Sequence, residues 1–268
     1  MGIHMDKILD NAINEAVSLV REVSGYLLCD MDDKKVLTKS GDANFVTEID
    51  LKVQEIMIKR LKEILPESSI IAEETKANDF SLGKYTWILD PVDGTTNLMY
   101  GYKYSCIALG LVVDGSPYAG IVYNPYLKEL FTALKGKGAF VNGKPIKVTD
   151  NKTLEDSLIT IGTSPYDKGK ADETFRVTKN VFLKCRDIRR SGSAALDICG
   201  VAAGRTDGFY EMELRPWDYA AASVILEEAG GCMTDWSGHK LSYIQMHAAI
   251  ATNGHIHAEL METIKSEK

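Results

Sequence analysis

Apolar residues recur at Leu9, Ile13, Ala16, Val20, Val23 and Leu27, steps of three and four that place them on one face of a helix from Asp6 to about Tyr26. The same spacing at Val53, Ile56, Met57, Leu61, Ile64 and Leu65 predicts a second helix, beginning near Asp50 and stopped by Pro66. Between them, Asp33 to Asn44 is polar and contains Gly41, which reads as a loop or hairpin. Shorter apolar runs follow at Ser69–Ala72, Thr86–Leu89, Tyr104–Val113, Ala119–Tyr123 and Glu129–Ala133, and these read as strands. Asp114-Gly115 between two of them is a hairpin turn signal.

Past about Thr149 the rhythm changes to alternating strand and helix. Strands are expected at Ser157–Ile161, Asp207–Glu211 and Ala248–Thr252, and helices near Lys170–Leu183, Ala194–Ala203 and Trp217–Ala229, with a closing helix after them. This divides the chain into an N-terminal α+β half, 6–149, and a C-terminal α/β half, 150–268. No repeat or low-complexity linker separates the halves, so they are expected to pack as one unit of layered helix and mixed sheet.

Composition narrows the function. Among 268 residues, 31 Lys and Arg face 38 Asp and Glu, a net charge of −7, and no long basic run offers a footprint for nucleic acid. Cys29, Cys106, Cys185, Cys199 and Cys232 are scattered, with no C-x-x-C pair, which speaks for a reducing cytoplasm and against a disulfide framework or thiolate zinc site. The longest apolar runs fall far short of a membrane span. Residues 1–5 read as a possible tag remnant and are set aside.

The sharpest chemical signal is Trp87-Ile88-Leu89-Asp90-Pro91-Val92-Asp93-Gly94-Thr95-Thr96-Asn97. An apolar strand is expected to deliver Asp90 at its carboxyl end, Pro91 to turn the chain, and Asp93 to return a second carboxylate beside Gly94. Asp90 would bridge two metals and Asp93 bind one. A helix turn starting at Gly94 would aim its free amides and the Thr95 hydroxyl at a phosphate. The competing structural reading is an Asx-turn with an exposed helix cap. Three companions change the odds: Ile70-Ile71-Ala72-Glu73-Glu74, an apolar run ending in carboxylates that alone reads as a solvated strand end; Phe45-Val46-Thr47-Glu48-Ile49-Asp50, opening the second helix, where simple capping is the alternative; and Trp217-Asp218, opening a later one, where Asp218 alone reads as a partner of the helix dipole. Hydrolysis of a phosphate monoester needs a positioned water, neutralised phosphoryl oxygens and a stabilised leaving alkoxide, and two metals about 3.5–4 Å apart supply all three. Carboxylate oxygens suit magnesium.

With these residues assembled, the sequence resembles the inositol monophosphatase family, within the superfamily that includes fructose-1,6-bisphosphatases. The resemblance spans essentially the whole chain from about Asp6 and rests on D-P-x-D-G-T-x-N at Asp90–Asn97 and on W-D-x-A-A with E-A-G-G between Trp217 and Gly231. It implies a layered α/β/α/β/α sandwich, a requirement for Mg²⁺ with two or three ions per site, sensitivity to Li⁺, and commonly a homodimer. By similarity Glu73, Asp90 and the Val92 carbonyl would bind a first magnesium, Asp90, Asp93 and Asp218 a second, and a weaker third ion would sit near Glu73. Thr95 and Asp50, with Glu73 alongside, resemble the group that activates the attacking water. Gly94, Thr95, Gly192, Ser193, Ala194 and Glu211 match substrate-binding positions, and Lys39 matches a mobile loop that closes near the metals. Ser193 stands where the family often has Thr, and Leu98 where a Phe is common. The implied reaction is hydrolysis of inositol monophosphate or a similar polyol phosphate. Fructose 1,6-bisphosphate is the rival substrate. Relatives acting on 3′-phosphoadenosine 5′-phosphate usually depart from Thr96-Asn97, and some bacterial relatives are transcription-complex partners, a role that the acidic net charge does not support but that a local basic patch at Arg186, Arg189 and Arg190 leaves open.

Two signals are set aside. Gly138–Lys144 satisfies G-x-x-x-x-G-K, but Pro145 follows where a P-loop needs a hydroxyl, and a strand is expected there. His255 and His257 lack acidic or Cys partners at ligand spacing and read as surface residues at a helix start.

Overall fold

A computed structural model describes residues 2–28, 36–38, 45–75 and 81–266, so Lys39 lies outside the described residues. Helix α1 (Gly2–Val23) begins four residues before Asp6, passes through Met5, and tightens into a 3₁₀ turn over Ser24–Leu28. It buries Leu9, Ala16, Val20, Val23 and Leu27, as the periodicity requires, with Ala12 and Leu19 from the same face. Strands β1 (Val36–Thr38) and β2 (Phe45–Thr47) pair antiparallel. Helix α2 (Glu48–Ile64) starts two residues earlier than predicted, because Thr47 and Asp50 form a reciprocal cap: Asp50 N donates to Thr47 Oγ1 at 3.3 Å and Thr47 N to Asp50 Oδ2 at 2.9 Å.

The first half builds a sheet of seven strands in sequence order: β3 (Ser69–Ala72), β4 (Tyr85–Asp93), β5 (Cys106–Val113), β6 (Ser116–Asn124), β7 (Glu129–Leu134), β8 (Ala139–Val141) and β9 (Lys144–Pro145). The β3–β4 pair is parallel and the rest antiparallel. Asp114 and Gly115 have φ of 48° and 74°, the left-handed pair that a tight hairpin turn demands. One local expectation needs correcting. Pro91 does not end β4; Asp90 lies opposite Ala108 and Asp93 opposite Cys106, so an extra residue bulges out between them and the strand continues to Asp93. A bulge is where a sheet tolerates a proline, since no ladder bond is required of its missing N–H. The turn comes at Gly94, before helix α3 (Thr95–Met99). Gly138–Lys144 lies in the β8–β9 hairpin and is followed by no helix.

The second half forms a five-stranded sheet in the order β11 (Asp187–Arg189), β10 (Leu158–Ile161), β12 (Gly208–Leu214), β14 (His247–Thr252) and β13 (Cys232–Asp235). Its helices are α4 (Ala171–Phe182), α5 (Ala194–Ala202), α6 (Pro216–Glu228) and α7 (His257–Lys265).

Period-two alternation in β5 explains the layering. Ile107, Leu109 and Leu111 face α1 and α2, while Cys106 and Ala108 face the core shared with α5 and α6. Helices α5 and α6 fill the space between the two sheets, and α4 with α7 covers the outer face of the second around Val177, Val181, Leu260 and Ile264. The order is therefore α/β/α/β/α. Helix α6 sits unusually close to the first sheet. A Cβ built at Gly120 would fall 2.1 Å from the Ala221 carbonyl oxygen, and one at Gly110 3.1 Å from Ala221 N. Bare glycine on the strands and the Ala220-Ala221-Ala222 run on the helix let the backbones touch, which brings the first turn of α6 to the end of β4.

Candidate active site

The β4 bulge aims two carboxylates differently. Asp90 Oδ1 accepts the Val92 amide at 2.9 Å, the Asx-turn that the competing structural reading of this motif expects, and this bond orients Asp90. Asp93 is buried at 7% exposure rather than lying on a surface turn. Its Oδ2 accepts Ser193 Oγ at 2.5 Å and Ala195 N at 2.8 Å, so the N-terminus of α5 holds it from the other half of the chain. Burial pushes the Asp93 carboxyl up to about 6, with those hydrogen bonds pulling the other way.

Gly94 has φ of +91°, and a Cβ there would meet the Tyr104 carbonyl at 3.0 Å and the Gly192 carbonyl at 3.3 Å, so only glycine fits the turn. It starts α3 with Thr95, whose hydroxyl lies 2.8 Å from Asp50 Oδ1 and 3.1 Å from the Val92 carbonyl. Asp50 is fully buried and is also bonded by Thr47, so one carboxylate caps α2 and receives Thr95. Burial raises its pKa and the charge of Glu73 adds to this, against the Thr47 and Thr95 bonds.

Glu73 follows β3, with its amide bonded to the Leu89 carbonyl at 3.2 Å. Asp218 occupies the first turn of α6, where its Oδ2 accepts Arg215 N at 2.6 Å. Arg215 itself is exposed. Burial and then the charges of Glu73, Asp93 and Asp218 drive the Asp90 pKa far upward, and burial followed by Glu73 and Asp93 does the same to Asp218. Acids from three separate stretches of the chain thus raise one another's pKa. Among the described residues, no three His, Cys, Asp or Glu side chains stand close enough to form a finished ion cage. What links these acids here is burial and mutual charge rather than ligand-like spacing. The donors are hard carboxylate and carbonyl oxygens only, which fits magnesium, and a divalent cation relieves their repulsion.

Beside the acids lies a cleft lined by Gly94, Thr95, Gly192, Ser193, Ala194 and Glu211, together with Tyr166 and Arg190. The structure brings these predicted substrate contacts onto one wall. Ser193 caps α5 and is 1% exposed with its hydroxyl directed at Asp93. Glu211 is half-buried, accepts Ser164 N at 2.9 Å, and is pushed up to about 7 chiefly by burial.

Some participants escape motif reading. A Cβ at Gly162 would overlap the Glu211 carboxyl at 2.0 Å, so the glycine at the end of β10 makes room for that side chain. Asn97 Nδ2 donates to the Tyr104 and Ser191 carbonyls at 2.8 and 2.9 Å, tying the phosphate-side turn to the substrate-side loop. Asp197, 3% exposed and bonded by Ser191 Oγ at 2.6 Å, is pushed up to about 8 by burial. Asn97 stood within a recognised block, whereas nothing local marks Gly162 or Asp197. His257 is not a surface residue: its ring nitrogens lie 2.9 Å from Thr234 Oγ1 and from Thr252 Oγ1, a packing role.

A deep acidic centre at the junction of two sheets, flanked by a hydroxyl–carboxylate pair and an anion-receptive helix start, defines the class as metal-dependent phosphoric monoester hydrolases. The comparisons agree. The chain matches the inositol monophosphatase family over residues 5–268, and it belongs to that family. It is 42% identical over 227 residues to "Inositol monophosphatase 3" of Solanum lycopersicum, covering 83% of this chain and 84% of that protein. It is 35% identical to the "Putative Nus factor SuhB" of Neisseria meningitidis serogroup B, covering 83% and 85%. Among solved structures, an IMPase/NADP phosphatase complexed with Mg²⁺ and phosphate superposes with a TM-score of 0.85 at 25% identity, covering 97% of this chain and 95% of that one.

Proposed function

We propose that this chain hydrolyses inositol monophosphate or a closely related polyol phosphate, with Mg²⁺ held by Glu73, Asp90, the Val92 carbonyl, Asp93 and Asp218. What supports this most is that Asp93, Thr95 and Asp218, from β4, α3 and α6, line one cleft with Glu211 and the start of α5. When bound, magnesium neutralises the phosphoryl oxygens, acidifies water and stabilises the leaving oxygen. The chain's own residues supply the rest. Thr95 directs its hydrogen to Asp50 or Val92, leaving oxygen lone pairs to accept a hydrogen from the attacking water. Asp50, made more basic by burial, takes the proton relayed through Thr95. Water oxygen bonds to phosphorus, the bond from phosphorus to the alcohol oxygen breaks, the leaving alkoxide takes a proton from solvent water, and Asp50 gives its proton back to solvent. Ser193 and the α5 amides hold Asp93, and Glu211 faces the alcohol half of the ester across the cleft.

Working in the cytoplasm and as a homodimer belongs to this proposal. Cys106, Cys185, Cys199 and Cys232 are free, in keeping with a reducing compartment, and the dimer rests on family resemblance. Among the described residues no helix is long and apolar enough to cross a membrane. The test is phosphate release from inositol 1-phosphate, fructose 1,6-bisphosphate and 3′-phosphoadenosine 5′-phosphate, with and without Mg²⁺. Magnesium-dependent turnover greatest on the first supports the reading; turnover greatest on the second selects a sugar-bisphosphatase, and none on any of them overturns it. The similarity to a Nus factor motivates a second reading, a role in a transcription complex, and retention of such a role by a catalytically dead variant would separate the two.

A further inference from the structure

The loop from Gly162 to Lys170, between β10 and α4, belongs to no motif, yet it is pinned in place over the acidic centre. Gly162 N donates to the Tyr210 carbonyl at 2.9 Å, Ser164 N to Glu211 at 2.9 Å, and Asp167 N to the Ser164 carbonyl at 3.1 Å. Lys170 at its far end pairs with Glu213. Two side chains of β12, Glu211 and Glu213, therefore grip both ends of the loop. Ser164 is held at φ of 42°, a backbone region uncommon for a residue with a side chain, so the tight turn is imposed by its surroundings.

This turn presents Tyr166. With Pro165, it lines the same cleft as Asp93, Thr95, Glu211 and Asp218. The residue is 64% exposed overall and is not packed into a core. Burial raises its phenol pKa, and the charges of Glu73, Asp218, Asp90 and Asp93 add to this. Among the described residues that hydroxyl makes no hydrogen bond. An aromatic side chain that is largely exposed, with an unused donor in a cleft lined by acids and a hydrogen-bonded loop behind it, is placed to meet a ligand rather than to pack a core.

We propose that Tyr166 is a specificity-determining residue, its hydroxyl donating a hydrogen bond to the phosphate group of the substrate and its ring forming the wall against which a cyclic polyol packs. This rests on the phosphatase reading and deepens it. A phenol suits the task because it remains a neutral donor at working pH, adding no negative charge to a site that must admit an anion. The flat ring matches the C–H face of a six-membered polyol and finds little to contact on a short acyclic alcohol.

The test compares wild type, Tyr166→Phe and Tyr166→Ala on inositol 1-phosphate and on glycerol 2-phosphate with saturating Mg²⁺, and measures inhibition by inorganic phosphate. Tyr166→Phe removes only the donor. It is expected to lower kcat/KM about tenfold on both esters and to weaken phosphate inhibition by a similar factor, the size of a hydrogen bond to a charged group. Tyr166→Ala is expected to raise KM for the inositol ester a further severalfold while leaving glycerol 2-phosphate at the Tyr166→Phe level. A Tyr166→Phe variant matching wild type in both esters and in phosphate inhibition overturns the donor role. Equal additional losses on both esters in Tyr166→Ala overturn the wall. Wild type inactive on every ester overturns the phosphatase reading itself and this proposal with it, an outcome distinguished before any variant is made.

Discussion

Ser193 Oγ donates to Asp93 Oδ2 at 2.5 Å, joining residues 100 positions apart and the two halves of the chain. The bond fixes the orientation of a carboxylate proposed as a metal ligand, so its loss should be felt at the metal. Supporting bonds of this kind typically govern about 10–100-fold in metal affinity or activity. Ser193→Ala is expected to raise the Mg²⁺ concentration for half-maximal activity by about that factor, and Ser193→Thr, which keeps the hydroxyl, to stay within severalfold of wild type. A magnesium titration of the three proteins checks this.

Thr95 and Asp50 act as one unit in the proposed proton path. Removing either is expected to lower kcat by about 10²–10⁴-fold, the usual range for positioned acid–base groups. Thr95→Ala combined with Asp50→Asn should be little worse than the more damaging single change. Steady-state kinetics of the two singles and the double checks this, with Thr95→Ser as the retained-hydroxyl control.

Gly120 lets α6 touch the first sheet, and a Cβ there meets the Ala221 carbonyl oxygen at 2.1 Å. Both partners are main chain, so no side-chain rotation relieves the overlap. Gly120→Ala is expected to destabilise by about 1–3 kcal/mol, as overpacked cores do. Thermal unfolding should show the loss, and the Mg²⁺ dependence should also worsen because Asp218 rides on α6.

Burial pushes the Asp197 carboxyl up to about 8 in the folded chain, against an ordinary value near 3.8. A folded-state pKa above the unfolded one means that the folded protein holds more protons, so this group's contribution to stability is complete below about pH 4 and is lost as pH rises towards 8. Asp197→Asn keeps a partner for Ser191 and removes the titration. Relative to wild type, the variant should gain stability steadily from pH 5 to pH 8.5, measured as the difference in Tm across that range. A constant difference would contradict the assignment.

Much of this was legible in the sequence. Helical periodicity identified the apolar faces of α1 and α2, and strand periodicity found β3, β5, β6 and β7, because each buries a face whose spacing is set by backbone geometry. What escaped has physical reasons. Strand β11 is polar, Asp187-Ile188-Arg189, and pairs at a sheet edge, where no core demands hydrophobic residues. Strand β4 was predicted too short because Pro91 reads as a stop when its bulge is unseen. Glu73, Asp90, Asp93 and Asp218 were visible as acids at element ends, but their mutual coupling depends on the close seating of α6 against Gly110 and Gly120. The same holds for Asp93, which is buried because α5 closes over it. Gly162 and Tyr166 matter only through what folds opposite them.

The central claim is that Asp90, the acid coupled to the other three, helps to hold magnesium. Calorimetric titration of Mg²⁺ into wild type and Asp90→Asn at pH 6 and pH 7.5 tests it most directly. Wild type is predicted to bind magnesium more tightly at the higher pH, since Asp93 at about 6 must shed its proton first, and Asp90→Asn is predicted to be folded and to lose that binding. Equal affinity in the two proteins, or no binding in wild type, would contradict the account.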